Sequence, residues 1–287
     1  MKISPRCPAC LLHRTYTESR MVTDDESKIR KAVEDSLDVL NRRYPEGGIN
    51  AVIATEMHRR VYDILGVADP YKKVKDKSNE IVMDFLSGIR DYIESQNDGF
   101  MAAAIASIIG NTFDYGVMGH DVAEDDFMGF FQEQYAKGLT IDDMDKIKEF
   151  CSGNVVYLTD NCGEIIVDSL FLEKIKEISH DLTVVVRGKP ILSDATIEDA
   201  RMAGIDKLAD NLLTNGGGAI GIIEGELPPD TMGKINNADI IIAKGMANYE
   251  CLSESPLPVA FLLTAKCKPV ADSLGVSVGD MVAKFEN

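Results

Sequence analysis

The apolar residues of the first half of the chain recur with helical spacing, whereas those of the second half form short continuous runs. Before about residue 150, apolar positions three and four residues apart predict a series of helices. One of them, 99–109, is apolar on all sides and therefore predicts a buried helix. From Asn154 onwards, short apolar runs alternate with helical segments, which predicts parallel strands joined by right-handed crossovers.

The predicted strands span 155–158, 182–186, 211–213, 239–243 and 259–263. We therefore predict an α/β fold, with a doubly wound and mainly parallel sheet and a helical N-terminal domain. Residues 1–152 would form the helical domain, and residues 153–287 would form the α/β domain. The segment near Gly153 lacks the composition of a linker, so we expect the two parts to pack tightly.

Oxygen donors follow the first predicted strand, where Asp160 and Asn161 precede a glycine and Glu164 opens an apolar-periodic helix. In open α/β sheets, ligands bind outside the carboxyl ends of the strands. Adjacent oxygen donors suit a hard divalent cation better than a redox metal. The alternative is that Asp160 merely caps the helix that follows it.

Two further predicted strands also end in charged residues beside glycines. The strand 182–186 ends at Arg187, with Asp194 a few residues later, and the strand 239–243 ends at Lys244. Two carboxylates and a carboxamide would hold a cation at this edge. Lys244, with Arg187 or Lys189, would bind an anion next to it. A metal beside a lysine fits a phosphorylated substrate, because the cation acts as a Lewis acid and activates water.

Three more polar residues lie near these strand ends or near the buried helix. Asn111 and Asp114 follow that helix three residues apart, so they would share one face and reach the site from the N-terminal part. The alternative for both is a capping or turn role. Asn248 lies just past Lys244 and would either shape a substrate pocket or cap the next helix.

At these residues the sequence resembles the damage-control phosphatases, a family also called domain of unknown function 89 or ARMT-like. The matching segments, in chain order, are 7–11, 65–71, 110–115, 159–164, 186–190, 193–196 and 243–250. The resemblance covers essentially the whole chain. The Cys7-Pro-Ala-Cys10 pair is typical of the mainly archaeal and bacterial subfamily.

The resemblance implies metal-dependent hydrolysis of small phosphate esters, including damaged phosphometabolites. It implies metal ligation by Asp160, Asn161 and Asp194 and phosphate contact by Lys244, with the two aspartates and the lysine as catalytic groups. It also favours substrate contact, or support of the metal ligands, for the Asn and Asp that follow the buried helix. Ser193 departs from the family, in which Asn is common, and this change affects a polar contact beside the ligand Asp194.

Several points of the chemistry stay open at this level. Oxygen ligands discriminate poorly between magnesium, manganese, cobalt and nickel. Catalysis of phosphoryl transfer consists mostly of positioning the groups and stabilising charge. The sequence does not distinguish a water molecule from an Asp carboxylate as the attacking group. Two rival functions are an S-adenosylmethionine-dependent carboxyl methyltransferase and a non-catalytic metal-binding protein. A methyl donor needs neither the divalent cation nor the lysine that the strand ends suggest.

The cysteines suggest a second metal site. Cys7 and Cys10 form a C-x-x-C pair, which is half of a zinc site, and Cys267 near the other end of the chain would supply a third ligand. We therefore predict that Cys7 and Cys10 lie close to Cys267. The alternative is that all three are ordinary free thiols.

The composition of the chain limits the classes of partner that we expect. The chain has 287 residues, 45% of them hydrophobic, and a net charge of −17. This charge argues against nucleic acid and anionic membranes as partners, because both require clustered Lys and Arg. No apolar run approaches the roughly 18 residues of a membrane span, and no secretory signal is visible, so we expect a cytoplasmic protein. The expected partner is a small phosphorylated metabolite; a homo-oligomer stays open.

Overall fold

A mixed sheet lies at the centre of the protein, in a computed structural model that describes residues 1–111 and 127–287. Its strands in the described chain are β1 (Ile141–Asp142), β2 (Asn154–Leu158), β3 (Asp181–Val186), β4 (Asn211–Thr214), β5 (Ile240–Lys244), β6 (Val259–Thr264) and β7 (Met281–Glu286). The spatial order is β1-β7-β6-β5-β2-β3-β4. All neighbouring pairs are parallel except β6 and β7, which confirms the predicted α/β class and mainly parallel sheet.

Helices precede the sheet and connect its strands. Those before β2 are α1 (Cys7–Val22), α2 (Glu26–Arg43), α3 (Asn50–Leu65), α4 (Lys72–Glu94), α5 (Gly99–Gly110), α6 (Phe127–Lys137) and α7 (Met144–Phe150). Those after β2 are α8 (Glu164–Lys176), α9 (Ile197–Met202), α10 (Ile205–Leu208), α11 (Pro229–Asn236), α12 (Gly245–Leu252) and α13 (Lys268–Leu274). The sequence pattern did not indicate α1, β1 or β7.

Both faces of the sheet are covered, as a doubly wound fold requires. Along β2, Val155 and Tyr157 belong to a core formed with α5 and α8, whereas Val156 and Leu158 belong to a second core on the opposite face. The alternation follows from the two-residue period of a strand. Burial on both faces explains why the strands consist of continuous apolar runs.

Helix α5 joins the N-terminal helices to the sheet. Its residues are almost all buried, as its uniformly apolar sequence predicts, and it packs against α8. The contact is close, because a Cβ atom at Gly110 would lie 3.4 Å from the Cα atom of Glu164. This packing brings Asn111, directly after α5, to the carboxyl edge of the sheet. The division into 1–152 and 153–287 stays a prediction, although β1 from the first part pairs with β7.

Among the residues described, no helix has both the length and the apolar character that a membrane span requires.

Candidate functional site

The predicted strand ends meet at one edge of the sheet. β2 lies between β3 and β5, and Leu158 pairs with both Val185 and Ala243 across the parallel ladders. The residues two positions beyond this row therefore lie side by side at the carboxyl edge. They include Asp160 after β2 and Arg187 after β3.

Arg187 holds two of the predicted metal ligands together. Its Nε donates to Asp194 Oδ2 at 2.5 Å, and its Nη2 lies 3.7 Å from Asp160 Oδ1. The guanidinium is fully buried, yet neither Nη1 nor Nη2 has a hydrogen-bond partner among the described residues. Two buried donors therefore remain available for a ligand.

The loop after β3 folds back so that Asp194 reaches the end of β2. The N–H of Ala195 donates to the carbonyl of Asp160 at 2.8 Å, and Asn161 forms an antiparallel bridge with Asp194. Within the loop, Leu192 has φ 46°, the left-handed region that side chains other than glycine rarely adopt. Its N–H donates to the hydroxyl of Tyr62 on α3 at 2.9 Å, so a helix of the N-terminal part holds the strained residue.

Two amides support the Asp160 carboxylate. Asn111 Nδ2 and Asn161 Nδ2 both donate to Asp160 Oδ2, at 3.0 and 2.8 Å. Asn111 Nδ2 also lies 2.6 Å from Glu164 Oε2. Ser193, the departure from the family pattern, donates through Oγ to Asn161 Oδ1 at 3.0 Å. Asn111 therefore supports a predicted metal ligand, and Ser193 orients another. Asp114 lies outside the described residues.

Lys244 lies on the buried face of β5 and not toward an open anion site. Its ammonium donates to the carbonyl of Ser107 at 3.0 Å and to Asp168 Oδ1 at 2.6 Å, and it is ion-paired with Glu164 Oε1 at 2.8 Å. Three acceptors thus surround its three N–H groups. The predicted phosphate contact by Lys244 would require this arrangement to break. The geometry instead makes Lys244 the counter-ion of Glu164, which in turn holds Asn111.

Asn248, also predicted to contact substrate, ties two strand ends together. Its Nδ2 donates to the carbonyl of Thr159 at 3.2 Å and to that of Lys244 at 2.8 Å. Its Oδ1 is buried and has no hydrogen-bond partner in the described part of the chain. The amide nitrogen is therefore used for structure, and a substrate contact through Oδ1 stays a prediction.

Charged side chains form a buried group at this edge, which we call the buried charge cluster. Its members are Asp160, Glu164, Asp168, Arg187, Asp194 and Lys244, all of them buried. The group contains four carboxyl groups and two cationic groups. Burial, and then the charges of Glu164 and Asp194, raise the pKa of Asp160 well above its ordinary value. Unbalanced buried charge is costly, so the cluster calls for compensation, either by protonation of a carboxyl group or by an additional cation.

A cavity of about 340 Å³ opens beside Arg187, between the start of α4 and the loop after β3. Polar side chains line it, among them Lys75, which is ion-paired with Asp69 at 2.8 Å, and Thr196 at the start of α9. It is large enough for a small metabolite, and its lining within the described ranges 1–111 and 127–287 includes no aromatic side chain on which a base would stack.

The three predicted zinc ligands lie in one region. Burial raises the pKa of the Cys7 thiol, and the charges of Glu250, Cys267 and Cys10 raise it further. The pKa of the Cys267 thiol is raised by burial and by the charges of Glu250 and Cys10. No group of three or more His, Cys, Asp or Glu side chains in the described ranges is arranged to hold a metal ion. Zinc at these thiols therefore stays a prediction.

Several residues of the site were not predicted. The hydrogen bond from Leu192 to Tyr62 joins residues 130 positions apart in the chain, and no local sequence signal indicates it. Asp168 lies four residues after Glu164 on α8, so the two side chains share one face of the helix. This spacing is the one sequence signal that points to Asp168. Lys266 follows β6 and lies near Asp160, whose pKa its charge lowers. Lys266 lies three residues past the predicted strand 259–263, so the strand-end rule that points to Asp160 also points to it.

The chain is similar to known proteins both in sequence and in structure. The family profile described as "Damage-control phosphatase ARMT1-like domain" matches residues 3–282. A damage-control phosphatase of Archaeoglobus fulgidus is 57% identical over 285 residues, which cover 99% of both chains. Damage-control phosphatase PH1575 of Pyrococcus horikoshii is 33% identical over 287 residues, covering 98% of this chain and 97% of that protein. The crystal structure of a DUF89 family protein from P. horikoshii matches with a TM-score of 0.92 and 31% identity, over 100% of both chains.

Fold, site and relatives together define an enzyme of the phosphatase class. The chain belongs to the damage-control phosphatase ARMT1-like family, as its motifs suggested.

Proposed function

We propose that the protein hydrolyses small phosphate monoesters with the help of a divalent cation held by Asp160, Asn161 and Asp194. The observation that carries this proposal is the composition of the buried charge cluster, in which four carboxyl groups face two cationic groups. With all groups ionised the cluster has a net charge of about −2, which one divalent cation would balance. The names of the relatives, damage-control phosphatases, support phosphorylated metabolites as the substrates.

The donor set fits a hard divalent cation. Two carboxylates and one carboxamide at neighbouring strand ends leave room for water ligands, which Mg²⁺ and Mn²⁺ usually retain. Cobalt or nickel would also accept these oxygens. Ligation by Asn161 requires its amide to turn, because Oδ1 now accepts from Ser193 and Nδ2 faces Asp160. A bound cation would neutralise charge on the phosphoryl group during its transfer.

Arg187 is the side chain best placed to bind the phosphoryl group. Its two Nη atoms are buried without a hydrogen-bond partner among the described residues, its side chain lines the cavity, and it contacts Asp160 and Asp194. A guanidinium matches two phosphate oxygens at once, and such charge-assisted pairs are strong when water is excluded. The rest of the substrate would occupy the cavity between α4 and the loop after β3.

Asp160 is the proposed acceptor of a proton from the attacking water, or itself the attacking group. Its Oδ2 is fixed by Asn111 and Asn161, whereas its Oδ1 accepts no hydrogen bond from any residue that the structure describes. Asp194 would complete the metal site. Lys244 would act through Glu164, whose carboxylate orients Asn111.

The proposal is tested with chelator-treated protein and a generic aryl phosphate ester. We expect no phosphate release without metal, recovery on addition of Mn²⁺, and Mn²⁺ binding that is measurable by calorimetry. Asp194→Ala should lower both the recovered rate and the Mn²⁺ affinity by about 100-fold or more, since an essential charged ligand is lost. Asp206→Ala, which changes an exposed aspartate on α10, is the matched control. Full activity of the metal-free protein, or unchanged Mn²⁺ binding by Asp194→Ala, would reject the proposal.

A further inference from the structure

The turn after β2 carries two of the proposed metal ligands and has a backbone conformation that glycine adopts more readily than other residues. Asp160 and Asn161 lead into Gly163, whose φ is 76° and whose ψ is −56°. Helix α4 packs directly against this turn, since a Cβ atom at Gly163 would lie 2.9 Å from Ser78 Oγ. The N–H of Gly163 donates to Asn79 Oδ1 of α4 at 2.6 Å. The position of the turn therefore depends on a helix of the N-terminal part.

The side chain of Asn79 also reaches the segment that carries the third proposed ligand. Its Nδ2 donates to Asp199 Oδ1 at 2.8 Å. The other carboxylate oxygen of Asp199 accepts from the N–H of Thr196 at 2.8 Å and from its hydroxyl at 2.7 Å. Thr196 lies just after Asp194 in the chain and forms a β-bridge with Arg187. One amide on α4 thus connects the two loops whose side chains would bind the cation.

The amide of Asn79 is buried, and its orientation is fixed by its two partners. Asn79 is fully buried and Asp199 is nearly so. The N–H of Gly163 requires the amide oxygen, and the carboxylate of Asp199 requires the amide N–H₂ group. Both polar atoms of the amide are therefore engaged by the protein. The side chain can act on the cation only through the two loops that it joins.

We propose that Asn79 is a positioning residue that sets the spacing between Asp160 and Asn161 on one loop and Asp194 on the other. This inference rests on the proposed function, because the spacing matters for the cation that these three side chains would hold. Groups that support metal ligands typically change metal affinity by roughly 10- to 100-fold. The link needs one acceptor and one donor at the same position, which an amide supplies and a carboxylate does not.

An exchange of the two side chains tests the link. Asn79→Asp places two carboxylates face to face, and Asp199→Asn leaves an amide N–H₂ group facing another donor. The double exchange restores every contact, because the carboxylate at position 79 accepts from Gly163 and from the amide at position 199, whose oxygen accepts from Thr196. Each single variant should raise the Kd of Mn²⁺ about 10-fold, and the double variant should stay within about threefold of the wild type.

Asn211→Asp is the matched control for lost stability. Asn211 Nδ2 also donates to a carboxylate, that of Asp181, but at the opposite edge of the sheet, where β3 and β4 begin. This variant should lower the melting temperature and leave the Kd of Mn²⁺ unchanged, which separates lost stability from lost spacing. Mn²⁺ affinities are measured by calorimetry at a temperature at which circular dichroism shows each variant to be folded.

The two single variants change the local charge in opposite directions, so a purely electrostatic effect would shift their Mn²⁺ affinities in opposite directions. Such opposite shifts, wild-type affinity in both single variants, or a double variant as weak as either of them would overturn the inference. Single variants that do not fold would overturn it too, because the amide would then serve folding and not the spacing of the ligands. A wild type that binds Mn²⁺ yet hydrolyses no ester would instead reject the proposed function, and the Mn²⁺ comparison would still decide the role of Asn79.

Discussion

Replacement of Lys244 by alanine separates a lysine that supports the site from one that contacts the substrate. The ammonium is fully buried and serves Glu164 and Asp168 together. Without it, two buried carboxyl groups lose their shared counter-ion. Removing one partner of a buried ion pair costs about 3–5 kcal/mol, because the other charge stays buried and unpaired. For a chain of this size we expect the melting temperature to fall by about 6–15 °C.

The loss of stability should also depend on pH. Burial raises the pKa of Asp168 from 3.8 to about 7, while the charge of Lys244 lowers it. The native state therefore binds this proton more tightly than the unfolded state, and stability falls as pH rises from about 4 to 7. Without Lys244 the native pKa is higher still, so this fall is larger. Lys244→Ala should accordingly lose more stability at pH 8 than at pH 5.

Three measurements distinguish a supporting role of Lys244 from direct substrate contact. They are urea unfolding at pH 5 and pH 8, Mn²⁺ calorimetry and the phosphatase rate. We expect lower stability, weaker Mn²⁺ binding and slower turnover for Lys244→Ala, because Glu164 no longer holds Asn111 in place. Lys207→Ala, which removes an exposed lysine on α10, should change none of these. A Lys244→Ala protein with wild-type stability and Mn²⁺ affinity but impaired turnover would refute the reasoning and support direct phosphate contact.

Three further predictions concern the geometry around the metal ligands. Tyr62→Phe leaves the N–H of Leu192 without its acceptor, so we expect a loss of about 1–3 kcal/mol in unfolding free energy and weaker Mn²⁺ binding; unchanged Mn²⁺ affinity would contradict a positioning role. Gly245→Ala should abolish Mn²⁺ binding, because φ is +76° and the new Cβ would lie 1.9 Å from Asp160 Oδ2. Gly275→Ala, with φ +74° and open space around the Cβ position, should cost only about 1–2 kcal/mol and leave binding intact. Mn²⁺ at 100 times its Kd should stabilise the wild type by about 2.7 kcal/mol in thermal unfolding, but not a variant that lacks a metal-binding aspartate.

The convergence of strand ends was predictable because it depends on local features. Continuous apolar runs such as 155–158 indicate strands buried on both faces, and parallel strands place their carboxyl ends at one edge. Asp160, Asn161, Arg187 and Asp194 follow from this rule. Their mutual contacts agree with it.

The orientation of Lys244 also follows from a local rule, the alternation of side chains along a strand. Along β5, Ile240 and Ile242 face the core formed with α5 and α8, so the two-residue period places Lys244 on that same buried face. There it meets Ser107 of α5 and Asp168 of α8. A charged residue at the end of a strand therefore contacts the ligand site only if its side chain lies on the face of the sheet that borders this site.

Other features could not be predicted, because they depend on contacts between distant parts of the chain. The hydroxyl of Tyr62 fixes Leu192, and neither neighbourhood contains a signal for the other. β1 has two residues, too few for a pattern, and forms only because β7 offers it an edge.

The all-round burial of α5 also has a consequence for biosynthesis. Much of the surface that covers this helix belongs to α8, which is translated later. At about 5–20 residues per second, α5 has left the peptidyl-transferase centre several seconds before Lys176 is added. A nascent chain paused in this interval would expose one of the most apolar segments of the protein. We therefore expect trigger-factor-like or prefoldin-like holdases to bind ribosome-attached chains that end before α8, and to release chains that extend beyond β3.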